Sequence, residues 1–255
     1  MHFDLERRTP APELAAHVER HWIVSWELPG EDPFEQEILP NPCVNLAAEP
    51  GLVAVWGIPK TRSRHVLQGS GTAVGTKFRP GGFAGFVDGP AHALNDAVVP
   101  LGGLFGAPGR RLATRLEAAQ GDPAAHIDAI EAFLLERLPE PDPRFELVAA
   151  VVDDMLTGAP DTTVAALARG HAVSERTLQR AFRDYVGVSP KWVLKRYRMH
   201  VAAERIAAGE APDAARLAGE LGYFDQSHFI GDFTDQIGRT PGDYARACAA
   251  AAGRS

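Results

Sequence analysis

The stretch that decides the fold of this chain runs from Gly222 to Tyr244 and reads GYFDQSHFIGDFTDQIGRTPGDY. Phe229, Phe233 and Ile237 recur at every fourth position, a spacing that predicts an amphipathic helix with one apolar stripe. Short polar side chains occupy the rest of its surface, and Gly238 ends it. This arrangement is typical of the recognition helix in a helix-turn-helix unit.

A second stretch of the same kind lies upstream, from Ser174 to Tyr185, and reads SERTLQRAFRDY. Ser174 is a candidate N-cap, and Leu178 and Phe182 form the inward stripe. Both stretches are followed by a glycine and then by Ser-Pro or Thr-Pro, at Gly187, Ser189 and Pro190 and again at Gly238, Thr240 and Pro241. The sequence therefore predicts an internal duplication.

The segment between the two stretches predicts a rigid spacer. Residues Lys191–Ala208 contain no Pro or Gly, and a helix of that length spans about 27 Å at 1.5 Å per residue. Two recognition helices that enter successive major grooves on one face of a duplex lie about 34 Å apart. A helix of this size can set that separation within one chain.

Together these residues resemble the DNA-binding domain of the AraC/XylS transcriptional regulators, over residues 166–246. The matching positions are Leu167, Ala168, Ser174, Leu178, Phe182, Gly187, Pro190, Arg198, Ala202, Ile206, Gly222, Asp225, Ser227, His228, Phe229, Phe233, Gly238, Thr240, Pro241 and Tyr244. The resemblance implies a seven-helix domain with two helix-turn-helix units. It also implies double-stranded DNA and RNA polymerase as partners.

The charges of the two units differ. Residues 169–198 hold eight basic and two acidic residues, a net of +6, whereas residues 199–246 hold four basic and eight acidic, a net of −4. Phosphate neutralisation dominates DNA affinity, so the first unit is expected to supply most of the binding. The candidate DNA contacts are Ser174, Arg176, Thr177, Gln179, Arg180, Arg183, Lys191 and Arg196 in the first unit and spacer, and Gln226, Ser227 and His228 in the second. A helical scaffold for protein contacts is the alternative.

The amino-terminal half has short apolar runs separated by turn residues. Strands are predicted at Trp22–Leu28, Glu35–Leu39, Val44–Ala48, Leu52–Trp56, His65–Gln68 and Ala73–Phe78, after a short helix at Leu14–Arg20. Helices follow at Arg110–Ala119, Pro123–Leu138 and Phe145–Leu156. The predicted class is α+β: a small β-barrel or sandwich over 1–105, a helical connector and Pro-rich linker over 106–143, and the all-α DNA-binding domain over 144–255.

Two motifs, Glu37–Leu46 and Gly75–Gly82, resemble the amino-terminal domain of one AraC-like branch. That resemblance implies a small-molecule effector or homodimerisation. The candidate pocket residues are Trp22, Trp26, Trp56, His65, Phe78 and Arg79, because ligand sites combine apolar walls with a few polar groups. Tryptophans packed in a barrel core are the alternative, and so is a DNA-binding protein without an effector whose first half serves self-association.

An enzyme with a helical appendage is the third hypothesis, and the sequence disfavours it. The nine histidines include no His-x-His pair, and no nucleophile elbow, P-loop or dinucleotide fingerprint is present. His17 and His21, four residues apart, could place two imidazoles on one helix face, but an ordinary helix surface is the simpler interpretation. We therefore expect no catalytic residues, no metal and no cofactor.

Bulk composition fits a cytoplasmic regulator. The net charge of −7 arises before residue 144, where 12 basic residues face 19 acidic ones, while residues 144–255 balance 14 against 14. Cys43 and Cys248 give no disulfide framework. No signal peptide and no apolar run of membrane-spanning length is visible, so no membrane association is expected.

Overall fold

The computed structural model describes residues 2–28, 34–159, 161–210 and 213–252. Its internal contacts define two compact units, Met1–Ala149 with Gln179–Val188, and Ala150–Leu178 with Ser189–Ser255. The predicted α+β class is confirmed. The domain boundaries drawn from the sequence stay a prediction, and they did not anticipate that Gln179–Val188 would group with the first unit.

The first unit contains two antiparallel sheets. A six-stranded sheet has the order β1-β2-β7-β4-β5-β8, and β3 pairs with β6 in a separate two-stranded sheet. The strands are β1 His2–Arg8, β2 Val18–Glu27, β3 Phe34–Ile38, β4 Asn45–Glu49, β5 Leu52–Trp56, β6 Ser63–Leu67, β7 Ser70–Phe78 and β8 Val98–Pro100. The six predicted strands are present with small shifts, and the edge strands β1 and β8 were missed.

The helix predicted at Leu14–Arg20 is wrong. A single 3-10 turn covers Pro12–Leu14, and Val18 already begins β2. β2 is hydrogen-bonded on one side to β1 and on the other to β7. The pairing of Val18 and Arg20 with β7 outweighs the weak local preference of this segment for helix, because tertiary context routinely overrides propensity.

The six-stranded sheet separates two clusters of side chains. Ile23 of β2 and Val74 of β7 pack with Ile127, which belongs to the second of two helices, α1 Leu101–Ala118 and α2 Pro123–Leu135. Because side chains alternate along a strand, Trp22 and Trp26 lie on the opposite face, where they pack with Leu67 of β6. The first unit thus has helices on one face of its sheet and the small sheet on the other.

The carboxy-terminal half is helical. The helices are α3 Pro143–Thr157, α4 Val164–Gly170, α5 Glu175–Tyr185, α6 Pro190–Ala207, α7 Ala214–Glu220, α8 Gln226–Ile237 and α9 Pro241–Ala252. They correspond to the seven helices that the resemblance implies. In the second unit, Phe229 and Phe233 are fully buried, and Phe233 lies edge-to-face against Tyr244 of α9. No helix in the described part of the chain is long and apolar enough to cross a bilayer.

Candidate nucleic-acid interface

The turns before α5 and α8 repeat the same backbone hydrogen bond. Val173 donates its amide to the carbonyl of Ala168 at 3.0 Å, and Tyr223 donates to Ala218 at 2.9 Å. The turn residue before each donor has a left-handed backbone, with φ of +53° at Ala172 and +73° at Gly222. Both turns therefore close with the same backbone hydrogen bond and the same left-handed residue, as the duplication in the sequence predicts.

Helix α5 presents its polar face to solvent. Leu178 and Phe182 are fully buried, whereas the predicted contacts Arg176, Thr177, Gln179, Arg180 and Arg183 are all exposed. The structure thus places these five side chains together on one helix and away from its apolar stripe. Among the described residues, no carboxylate oxygen lies within 4.0 Å of the Arg176 or Arg180 guanidinium, so both charges are available to an anionic partner.

Two of the predicted contacts serve the start of α5 itself. The Ser174 hydroxyl accepts a hydrogen bond from the Thr177 amide at 3.1 Å and lies 2.9 Å from the Thr177 hydroxyl. This is the N-cap expected from the sequence, and it satisfies an amide that has no partner within the helix. Ser174 and Thr177 therefore fix where α5 begins and hold its arginines in register.

The end of α5, in the first unit, is held by several polar contacts. Arg144 is paired with Asp184 at 2.7 Å, and the Asn95 side-chain amide donates to the carbonyl of Gly187 at 2.7 Å. Arg183 lies 3.4 Å from Nε2 of His92. Tyr185 donates to Asp142. These contacts explain why Gln179–Val188 groups with the first unit.

The two predicted DNA contacts on helix α6 differ in their exposure to solvent. Lys191 is exposed, but Arg196 is only 6% exposed. Its Nη1 lies 3.4 Å from Oε1 of Gln236, and burial lowers the pKa of this guanidinium to about 10. The structure therefore removes Arg196 from the surface set. Its spacing from the buried Val193 and Met199, three residues on either side, is the sequence signal that could have placed it inside.

The start of α8 carries the three predicted contacts of the second unit. Gln226, Ser227 and His228 are exposed, and the Asp225 carboxylate accepts from the His228 amide at 2.7 Å as the N-cap. Asp232, one helical turn after His228, is paired with Lys195 at 2.5 Å and accepts a hydrogen bond from the Tyr223 hydroxyl at 3.0 Å. Residues 226–237 contain no Lys or Arg, so α8 offers polar groups without positive charge.

The predicted pocket residues of the compact amino-terminal unit lie in different surroundings. Trp22 donates its indole N–H to Asn45 and Trp26 donates to the carbonyl of Gln68, while Trp56 is half-buried. Phe78 is fully buried against Phe83. The remaining predicted residues are engaged as well, His65 with Glu49 at 3.1 Å and Arg79 with the carbonyl of Ala15 at 2.8 Å.

A cavity of about 640 Å³ opens on the helix-covered face of the large sheet. Of the six predicted pocket residues it includes Trp26 alone. Its polar lining comprises Ser25 and Thr72, whose hydroxyls lie 3.2 Å apart, together with Glu27, Glu49, Ser70, Glu117, Gln120 and His126. The sequence did not predict this cavity, because its walls come from strands and helices that are distant along the chain.

His17 and His21 do not form a pair. The His17 ring stacks on Phe145. His21 is fully buried, with Nδ1 2.8 Å from the Thr76 hydroxyl and Nε2 3.0 Å from the Glu131 carboxylate. Burial lowers the pKa of both imidazoles. Their predicted placement on one helix face is wrong since His21 lies in a strand, and the described residues contain no cluster of three His, Cys, Asp or Glu side chains suited to a metal.

The fold and the exposed helices define a protein with two helix-turn-helix units. Residues 167–247 match the family model described as a helix-turn-helix domain, and residues 6–100 match a domain of unknown function, DUF6597. The resemblance predicted from the sequence is confirmed: the chain carries a helix-turn-helix domain of the kind found in AraC-like transcription regulators. The match to the first unit carries no description of function.

Curated relatives match the carboxy-terminal segment. A putative AraC-like transcription regulator of Streptomyces antibioticus is 39% identical over 84 residues, which are 33% of this chain and 27% of that protein. The activator RclR of Escherichia coli K12, described as RCS-specific, is 32% identical over 98 residues, 38% of this chain and 34% of RclR. The chain therefore covers only about a third or less of these relatives.

Among solved structures, the C-terminal domain of AraT, a response regulator from Geobacillus stearothermophilus, is 27% identical. It aligns with 42% of this chain and 86% of that domain, with a TM-score of 0.37.

Proposed function

We propose that this protein is a sequence-specific DNA-binding regulator of transcription. The observation that carries the proposal is the exposed face of α5, where Arg176, Gln179 and Arg180 project beside one another from a capped helix. Arg and Gln are the side chains that pair bidentately with guanine and adenine edges in the major groove. The helix-turn-helix match over residues 167–247 supports the same function.

The two helix-turn-helix units contribute unequally in this proposal. Helix α5 and the exposed Lys191 supply positive charge, and α8 supplies Gln226 and Ser227 without Lys or Arg. Contacts to phosphate set affinity and its salt dependence, while contacts to base edges set sequence preference. The first helix-turn-helix unit therefore accounts for most of the affinity, and the second helix-turn-helix unit adds base selection.

The cavity on the helix-covered face of the large sheet is the proposed site of effector control. Its volume of about 640 Å³ falls within the range of small-molecule pockets, and the Ser25 and Thr72 hydroxyls can orient a polar ligand. The alternative is a DNA-binding protein without an effector, in which the first unit serves self-association. Cytoplasmic location, homodimerisation and contact with RNA polymerase remain predictions that follow from the sequence and its resemblance.

The DNA proposal is tested by fluorescence anisotropy of the full-length chain with a labelled random duplex over a range of salt concentrations. We expect log affinity to fall steeply and linearly with log salt, and Arg180→Ala to weaken binding. Arg64→Ala, which removes an exposed arginine paired with Glu35, is the matched control and should leave affinity unchanged. Absence of binding at low salt would overturn the proposal.

Effector control is tested by thermal shift with a panel of small polar metabolites. A compound that raises the melting temperature of the wild type but not of Thr72→Trp, and that changes DNA affinity, supports the cavity. If Thr72→Trp is stable and responds like the wild type to every stabilising compound, the cavity is not the site. If no compound in the panel acts, the self-association alternative is favoured.

A further inference from the structure

The second helix-turn-helix unit has one more residue in its turn than the first. In the first unit the left-handed Ala172 is followed by Val173 and then by the N-cap Ser174. In the second unit the left-handed Gly222 is followed by Tyr223, by Phe224 and only then by the N-cap Asp225. Since Val173 and Tyr223 make the equivalent hydrogen bond to Ala168 and Ala218, the additional residue is Phe224.

Phe224 is displayed to solvent by a fixed backbone. Its side chain is 99% exposed, whereas Leu156, the next most exposed large apolar side chain among the described residues, is 55% exposed. On one side the Gly222 amide donates to the carbonyl of Gly219 at 3.0 Å, and on the other Asp225 caps α8. A phenyl ring held in water by an ordered turn is poised for a partner that removes it from water.

The position of Phe224 indicates what that partner is. It directly precedes Asp225, Gln226 and Ser227, and the first residues of the recognition helix are the ones that meet base edges in helix-turn-helix complexes. The thymine 5-methyl group is the apolar feature of the major-groove edge, and phenylalanine is one of the side chains that contact it. Helix α8 has no Lys or Arg to pair with phosphates. An apolar contact is therefore a way in which this helix-turn-helix unit can gain affinity for DNA.

We propose that Phe224 is a specificity-determining residue that packs on the 5-methyl group of a thymine at the site read by α8. This inference rests on the proposed DNA-binding function. It adds an apolar contact to the polar ones of Gln226 and Ser227, and it explains why an additional aromatic residue stands in the turn of the unit that is poor in positive charge.

The test uses the full-length protein and a duplex that it selects from a random library. Each thymine of that duplex is replaced in turn by deoxyuridine, which removes only the 5-methyl group. For the wild type we expect one or two replacements to weaken binding about fourfold, the effect of one buried methyl group. For Phe224→Ala the same replacements should have no effect, and affinity for the unmodified duplex should fall about tenfold, because burial of the ring is lost together with that of the methyl group.

The controls separate this inference from the function on which it rests. Leu156→Ala, which removes an exposed apolar side chain of α3, should retain both the affinity and the response to deoxyuridine. A wild-type protein that selects no sequence would refute the proposed function itself. Sequence-specific binding that no deoxyuridine replacement weakens would overturn the role of Phe224 alone. The role of Phe224 would also be overturned if deoxyuridine replacement weakened binding by Phe224→Ala as much as binding by the wild type. The same holds if Phe224→Ala lost affinity although no methyl group contributed to binding by the wild type.

Discussion

Ala172 and Gly222 occupy equivalent places in the two helix-turn-helix turns, and both have a left-handed backbone, with φ of +53° and +73°. A side chain in this region is strained because its Cβ approaches the following carbonyl. The second unit uses the residue that avoids the strain, and the first does not. The two turns therefore differ in how well the residue at this position suits its left-handed conformation.

Exchanging these residues should have opposite effects on stability. Ala172→Gly relieves strain and should raise the free energy of unfolding by about 0.5–1 kcal/mol, the relief exceeding the added entropy of the unfolded chain. Gly222→Ala should lower it by about 1–2 kcal/mol, and its new Cβ would lie 3.1 Å from Cα of Asp161. Urea unfolding of both variants gives the two changes, and equal signs would contradict the equivalence of the turns.

Arg180 and Arg196 should separate DNA binding from stability. Arg180→Ala should weaken specific binding by about 1–3 kcal/mol if the side chain reads a base. Arg196→Met should leave DNA affinity unchanged, because Arg196 is buried. Replacing a buried charge by an apolar group of similar size is often neutral or stabilising by about 1–4 kcal/mol. Anisotropy and urea unfolding of both variants measure the two effects, and a loss of DNA affinity in Arg196→Met would restore it to the contact set.

Stability should fall as the solution is acidified below neutrality. Burial lowers the pKa of His21 in the folded chain, so its unfolded form binds a proton more readily. The stabilising effect is complete above the unfolded pKa of about 6.5 and is lost as the pH falls through that value toward the lower folded pKa. The slope reaches at most about 1.4 kcal/mol per pH unit for each proton taken up.

Unfolding of His21→Gln between neutral and mildly acidic pH checks this expectation. The variant should show a shallower pH dependence than the wild type, and His17→Gln should show a similar reduction, since burial lowers the pKa of His17 as well. Identical slopes in all three proteins would exclude these imidazoles as the cause. Comparing slopes, and not absolute stabilities, corrects for the lost contact of His21 with Glu131.

The two cysteines should differ in reactivity. Cys43 is 3% exposed, and burial raises the pKa of its thiol to about 12, so almost no thiolate forms at neutral pH. Cys248 is half-buried on α9. A thiol reagent should therefore modify Cys248 in the native chain and Cys43 only after unfolding. Mass spectrometry counts the adducts, with Cys248→Ser as the control. Rapid native labelling of Cys248→Ser would contradict the burial of Cys43.

The sequence by itself determined the elements whose pattern is local. The four-residue recurrence of Phe229, Phe233 and Ile237 and the stop at Gly238 predicted α8, and the same reasoning predicted α5 with its Ser174 cap. Short apolar runs separated by turn residues likewise predicted most strands of the compact amino-terminal unit. These features can be read from one segment at a time, since a helix or strand buries the face that its own period defines.

Only the tertiary structure decided what depends on distant partners. The segment 18–20 became strand because β7 pairs with Val18 and Arg20, and the inward side of α6 buried Arg196, which the local count of charges had placed among the DNA contacts. The grouping of Gln179–Val188 with the first unit and the cavity beside Ser25 and Thr72 arise from residues far apart in the chain. The charge of a side chain and the spacing of apolar residues can be read from the sequence. Packing against distant residues determines whether that side chain is exposed to solvent.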